Sequence, residues 1–392
     1  MDRVELLSPA GDIERLKIAL LYGADAVYIG GQEYSLRANA NNFSIEEIKE
    51  ACEFAHNLGK KVYLTLNIVF HNEDLNDVYN FIKQVVDAKI DAFIVSDPFI
   101  IKYIKDNFDV EAHLSTQAST TNKESVKFWK EEGIDRVVLA RETSIKEIKE
   151  IYDETKLDLE VFIHGAMCTF YSGRCCLSNY FTNRDSNRGG CAQICRFAFD
   201  IDNNEEKFTM ATKDLNMAKY IDKLIEAGAK SLKVEGRMRS PYYLATVMSS
   251  YRKIIDNYYN GTLTKDIIER EEKILSRVAN RETSTHYYLK EADYKDQYYT
   301  GRQELSNQDF LGQILDYDKE NKILTLTQRN YFKEGDEVEI FTPTGNTYEF
   351  IIEEVYNEKM ERIEIARHPE EIIKLKVDFD VEKNSMMRIK VK

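Results

Sequence analysis

Five of the chain's six cysteines fall within 28 residues, at Cys168, Cys175, Cys176, Cys191 and Cys195. The sixth, Cys52, stands alone in a helical pattern. Such a density has three physical explanations: a disulfide knot, a structural metal or an iron–sulfur cluster. Zinc sites favour pairs two to four residues apart, twice over, and only Cys191 and Cys195 are spaced that way. An iron–sulfur cube accepts four thiolates at irregular spacing. The four that suit it are Cys168, Cys175, Cys191 and Cys195. Cys176 points away from Cys175 in an extended segment and is the spare. Zinc stays the alternative. Arg174, Arg184, Arg188 and Arg196 lie in the same stretch. They can offset the charge of a thiolate-ligated cluster, meet an anionic substrate, or simply be solvated.

The elements that must position these thiols repeat through the first 240 residues. A helical pattern ends at a turn residue, a polar residue follows, and a short apolar strand comes next. Gly23-Ala-Asp25, Lys89-Ile-Asp91, Gly133-Ile-Asp135 and Gly228-Ala-Lys230 mark four of these corners. With Val4–Leu7, Lys61–Asn67, Val110–Leu114 and Leu159–Ile163 the tally is eight strands separated by helices. That predicts an α/β fold, a TIM-type (β/α)8 barrel over residues 1–260, with a doubly wound open sheet as runner-up. No glycine-rich fingerprint follows the first strand, so no dinucleotide site is expected. The cysteine stretch, 165–200, is then an insertion after strand seven, on the face where such barrels keep their chemistry. Residues 261–305 read as a helical or irregular connector. Residues 306–392 alternate with period two and predict a small antiparallel β-barrel.

Polar residues at strand ends should line the barrel mouth: Asn67, Asp97, His113 with Gln117, Arg141 with Glu142, His164, and Glu235 with Arg237, with Arg37 on the second loop. His164, His113, Glu142 and Glu235 are the candidates for acid–base work, and Arg37, Asn67, Gln117, Arg141 and Arg237 for substrate binding. Each also has a plainer reading as a helix cap or backbone partner. There is no His-Glu-x-x-His and no Gly-x-Ser-x-Gly. A peptidase would have to use Cys168 or Cys175 with His164 or His113, and an iron-bound thiolate is not free to attack.

The composition is 43% hydrophobic and 31% charged, enough for a full core. No apolar run of about 18 residues occurs, so no membrane span is expected. The N-terminus lacks a secretory pattern, and a reducing cytoplasm is the expected compartment. That disfavours disulfides. A net charge of −14 argues against adventitious nucleic-acid binding, though not against a local basic patch.

Longer patterns carry a resemblance. Glu160-x-Phe162-x-x-Gly165-Ala166-Met167-Cys168, followed after four residues by Gly173-x-Cys175-x-Leu177-Ser178, resembles the signature of peptidase family U32. Glu5-Leu-Leu-Ser-Pro-Ala-Gly11, Tyr34-Ser-Leu-Arg37 and Lys233-Val-Glu-Gly-Arg237 are similar to the same family. The resemblance implies collagenase-like activity or, from other branches, hydroxylation of a tRNA wobble uridine with prephenate, of ribosomal RNA, or of ubiquinone precursors. It also implies a [4Fe-4S] cluster and a shorter paralogue as partner. Length, the C-terminal β segment and Cys191-x-x-x-Cys195-Arg196 look most like the tRNA branch. Asn280-Arg-Glu-Thr-Ser-Thr departs from that branch's pattern.

Overall fold

Two residues at each helix-to-strand corner explain the repeat. The structure, a computed structural model, describes residues 3–36, 42–200, 207–279, 281–298 and 309–391. After α1 (Ile13–Leu21), Gly23 turns at φ +109°, where a side chain would be strained. Asp25 then accepts the backbone N–H of Leu6 at 2.9 Å. Asp91 accepts from Val62 at 2.7 Å and Asp135 from Ala112 at 2.8 Å. Each aspartate therefore satisfies a donor at the start of the preceding strand and ties the two strands together.

The strands are β1 (Glu5–Pro9), β2 (Ala26–Gly30), β3 (Lys61–Leu66), β4 (Ala92–Val95), β5 (Glu111–Leu114), β6 (Arg136–Val138), β7 (Asp158–Gly165), β8 (Asp214–Asn216) and β9 (Ala229–Val234). The first seven pair in order, all parallel; β9 pairs with β7 and with β1. Eight parallel strands thus close a barrel, as the sequence predicts. Helices α2 (Ile45–Asn57), α3 (Val78–Asp87), α4 (Pro98–Asn107), α5 (Lys123–Glu131), α6 (Ile145–Thr155), α8 (Ile221–Glu226) and α9 (Pro241–Tyr259) alternate with the strands, and α7 (Leu177–Thr182) interrupts the cysteine stretch. Serine caps with reciprocal glutamates start α2 and α6. Asp97 resolves to the cap of α4, accepting from Phe99 and Ile100.

The barrel lumen is ionic. Arg136 bonds Glu5 at 2.6 Å and Glu160 at 3.4 Å, and Lys233 bonds Glu160 at 2.7 Å. Ser231 and Tyr63 both donate to Glu5. Glu160 is fully buried. Burial pushes its carboxyl up, but Lys233 and Arg136 outweigh that and hold it below the usual range. The ammonium of Lys233 also lies 4.4 Å from the centre of the Tyr28 ring.

β8 runs antiparallel to the end of β7, and β10 (Thr283–Ser284) extends its edge. α10 (Lys265–Val278) leads there from α9. The C-terminal region is an eight-strand antiparallel sheet with a separate two-strand ladder, around a core that includes Ile314, Leu326, Phe332, Ile340 and Met387. Among the described residues its edge strands, Thr347–Ile351 and Arg362–Ile363, do not pair with each other, so the sheet is open where a complete barrel would close. It packs against α9 and α1. Tyr242 stacks on Phe310 at 4.4 Å and donates to Asp309, while Tyr22 donates to the carbonyls of Phe341 and Asn384.

Candidate active site at the barrel mouth

The stretch from Ala166 to Lys213 is seated on loops from several strands. Val69, after β3, donates to the Asn187 carbonyl at 3.0 Å, and Arg188 grips both oxygens of Asp74 at 2.6 and 3.0 Å. That grip holds the Asp74 carboxyl below the usual range. After β5, Gly173 sits so close that a Cβ would stand 2.1 Å from the Gln117 carbonyl oxygen. Ser119 donates to the Ser172 carbonyl. After β6, Glu142 accepts from the Ser172 N–H and hydroxyl, each at 3.1 Å. Thr212 returns to Met167 at 3.1 Å. The cysteine stretch is thereby held across the C-terminal mouth.

None of the cysteines is in a disulfide. Cys195 feels the charges of Cys168, Cys191 and Cys175; burial comes first, and its thiol is pushed up to about 11. Cys168 is exposed as a residue, yet protein atoms crowd its sulfur enough for burial to raise it, against the Phe170 N–H and the Arg141 guanidinium. Cys168, Cys175, Cys191 and Cys195 thus act on one another electrostatically. They are not drawn to ligand distances: among the described residues no group of three or more His, Cys, Asp or Glu is placed to hold a metal ion. The donor chemistry suits a soft metal or cluster. Backbone contacts fix the set locally, with Asn187 donating to the Cys175 carbonyl at 2.9 Å and Thr209 to that of Cys195 at 3.3 Å.

Arg141 lies between these thiols and the lumen. Its guanidinium covers Phe162 at 4.0 Å, and its buried Nε has no hydrogen-bond partner among the described residues. Arg237 reaches over the ends of β2 and β3, with Ser35 at 3.3 Å and Thr65 at 3.5 Å. Asn67 donates to Ser115 at 3.1 Å, and its buried Oδ1 is unpartnered among the described residues. Glu235 is half-buried nearby, close enough to act on Arg196, Asp214 and Tyr243.

Four residues stand elsewhere than expected. His113 is not at the mouth. It lies inside the barrel, bonded to Glu111 at 2.9 Å near the strand starts and edge-on to Tyr63, because its position on β5 points inward. His164 points away from the lumen to the Tyr251 hydroxyl at 3.1 Å, and burial holds it down at about 3. It is neutral at ordinary pH and a poor base. Glu142 spends both oxygens on Ser172, and Gln117 offers its backbone as the seat for Gly173. Arg37 lies outside the described residues.

These features sit on a recognisable sequence. Residues 11–298 match the profile of peptidase family U32, and residues 306–388 match the family's C-terminal domain. The chain belongs to peptidase family U32. Among its relatives is "tRNA hydroxylation protein P1" of Bacillus subtilis, 47% identical over 98% of this chain and 94% of that protein. "tRNA hydroxylation protein P" of Escherichia coli is 33% identical over 98% of this chain and 96% of that one. A Porphyromonas gingivalis protein named "Collagenase" is 36% identical, covering 73% of each.

In this U32 chain the mouth carries a second cluster that the sequence reading passed over. Asp214 is buried between Arg281 at 3.1 Å and Arg239 at 3.5 Å, within reach of Arg196 and Glu235. Burial raises its carboxyl despite the arginines. The available signal was weak: a lone aspartate opening a three-residue strand. The lumen ions Glu5, Arg136, Glu160 and Lys233 were passed over too. Their signal was clearer, since charges inside otherwise apolar strands need partners.

Proposed function

We propose that this chain hydroxylates the wobble uridine of tRNA to 5-hydroxyuridine, using prephenate as co-substrate and a [4Fe-4S] cluster on Cys168, Cys175, Cys191 and Cys195. The observation that carries this reading is nearly full-length similarity to proteins named for tRNA hydroxylation, and the mutual influence of the thiols at the mouth supports it. Bound there, the cluster would supply electron transfer or Lewis acidity at iron. The chain's own residues do the rest. Arg141 and Arg237 present guanidinium groups to the carboxylates of a dianion, Arg141 braced on Phe162 and Arg237 on two hydroxyls. Asn67 offers an open acceptor. Glu235 and Asp214 are the mouth carboxylates able to hold or move a proton at the bound substrate.

We place the protein in the cytoplasm, with a shorter family paralogue as a further partner. No helix among the described residues is long and apolar enough to cross a membrane. The peptidase alternative gains nothing from the geometry. His164 is turned to Tyr251 and His113 to Glu111, so neither stands as base to Cys168 or Cys175.

The test has two arms. Anaerobic purification should yield a brown protein with about four irons per chain; a colourless protein holding one zinc would overturn the cluster. Deletion of the gene should remove 5-hydroxyuridine from tRNA by mass spectrometry, and an unchanged level would overturn the substrate.

A further inference from the structure

The outer face of the cysteine stretch carries aromatic rings left exposed among the described residues. Tyr180 is 85% exposed and Phe181 52%, both on α7, with ring centres 5.3 Å apart. Phe181 lies 5.9 Å from Phe199. Phe199 and Phe208 exchange both backbone hydrogen bonds, at 2.7 and 2.8 Å, so their side chains lie on the same face. Phe208 is itself 38% exposed. Rings gathered in this way at a surface mark an interaction site.

Charge narrows the partner. The stretch 166–208 balances five basic side chains against five acidic ones, in a chain of net charge −14. Arg174 and Arg184 are exposed and join no ion pair among the described residues. An apolar peptide would use the rings but leave these two cations idle. An RNA loop uses both: unpaired bases stack on rings, and phosphates meet arginine. The segments that carry the rings are also tied by backbone bonds to the cysteine stretch. Tyr180 donates its N–H to the Cys176 carbonyl at 3.1 Å, and Thr209, next to Phe208, holds that of Cys195.

We propose that Tyr180, Phe181, Phe199 and Phe208 form a stacking platform for unpaired bases of a structured RNA, with Arg174 and Arg184 on its phosphates. This rests on the tRNA reading above and adds where the substrate's loop docks.

The test uses the full chain, a labelled RNA stem-loop with a seven-nucleotide single-stranded loop, and a fully paired duplex of equal length, read by fluorescence anisotropy. The double variant Tyr180→Ala/Phe181→Ala should bind the stem-loop roughly 5- to 100-fold more weakly, with unchanged circular dichroism and metal content. Tyr180→Trp should retain binding. Arg174→Gln/Arg184→Gln should flatten the salt dependence, by about 0.7 in the log–log slope per lost phosphate contact. Wild-type stem-loop affinity in the double variant would overturn the platform while leaving the tRNA reading intact. So would a change in its sedimentation, which would mark the rings as a face between two copies. A wild-type chain that binds neither RNA would overturn the tRNA reading itself.

Discussion

Replacing Glu160 with glutamine removes one charge and almost no volume from the barrel lumen. Glu160 is fully buried, with the Lys233 ammonium at 2.7 Å and Arg136 at 3.4 Å. At an effective dielectric of about 20, the shorter contact corresponds to about 6 kcal/mol of attraction. The net effect of the substitution is smaller, because the pair also carries a desolvation cost. Arg136 keeps Glu5, but Glu160 is the one hydrogen-bond partner of the Lys233 ammonium among the described residues. Removing one partner from a buried pair strands the other charge, at a cost of about 3–5 kcal/mol. The expected loss lies in that range. Lys233→Met in the same chain removes the stranded charge, so the double variant should recover most of the loss. Urea unfolding followed by Trp129 fluorescence is the assay; the chain has a single tryptophan, and α5 places it on the barrel. A Glu160→Gln loss under about 1 kcal/mol, or a double variant that sums the two single losses, would refute the ionic-lumen argument. Acid adds an independent check. Because the folded carboxyl is held low, its contribution is complete above the unfolded value of about 4.3 and fades as pH falls below it. Glu160→Gln should lack that portion of the acid dependence.

Other outcomes follow from the same geometry. Alanine at Cys168, Cys175, Cys191 or Cys195 should each bleach anaerobically prepared protein, while Cys176→Ala keeps its iron; equal bleaching by all five would refute the assigned set. His164 is held at about 3 against an unfolded value near 6.5. The unfolded chain therefore binds the extra proton, and the His164 contribution should decline between pH 6.5 and 3 by about 1.4 kcal/mol per unit. His164→Asn should show a shallower acid slope, and matching slopes would contradict the assignment. Gly173→Ala meets both a φ of +73° and the Gln117 carbonyl. It should unseat the cysteine stretch, seen as protease cleavage within 166–213 while the Trp129 transition stays put; a resistant stretch would argue against that seat.

Much of this architecture was legible because the barrel repeats itself. The aspartate before a strand is visible in sequence, and its bond to the preceding strand makes strand order follow chain order. Strand-end logic likewise brings Asn67, Arg141, Glu235 and Arg237 to one mouth. It fails for His113 and His164, because a strand's two faces cannot be told apart when both are buried. His113 faces the lumen and His164 faces α9. Glu142 and Gln117 were read as chemistry because loop seating is a tertiary fact: their partners, Ser172 and Gly173, lie about 30 and 56 residues away in the chain.

α9 has a mechanical meaning. Tyr242 near its start holds the C-terminal sheet through Phe310 and Asp309, and Tyr251 holds His164 beside the mouth. Nine residues of helix separate them, about 13.5 Å of stiff rod. Twelve side chains of α9 are buried, so the rod is gripped along its length. A load placed on the sheet is therefore delivered to the end of β7, where the cysteine stretch begins, as a displacement rather than being absorbed in a slack tether. The sheet is a handle on the mouth.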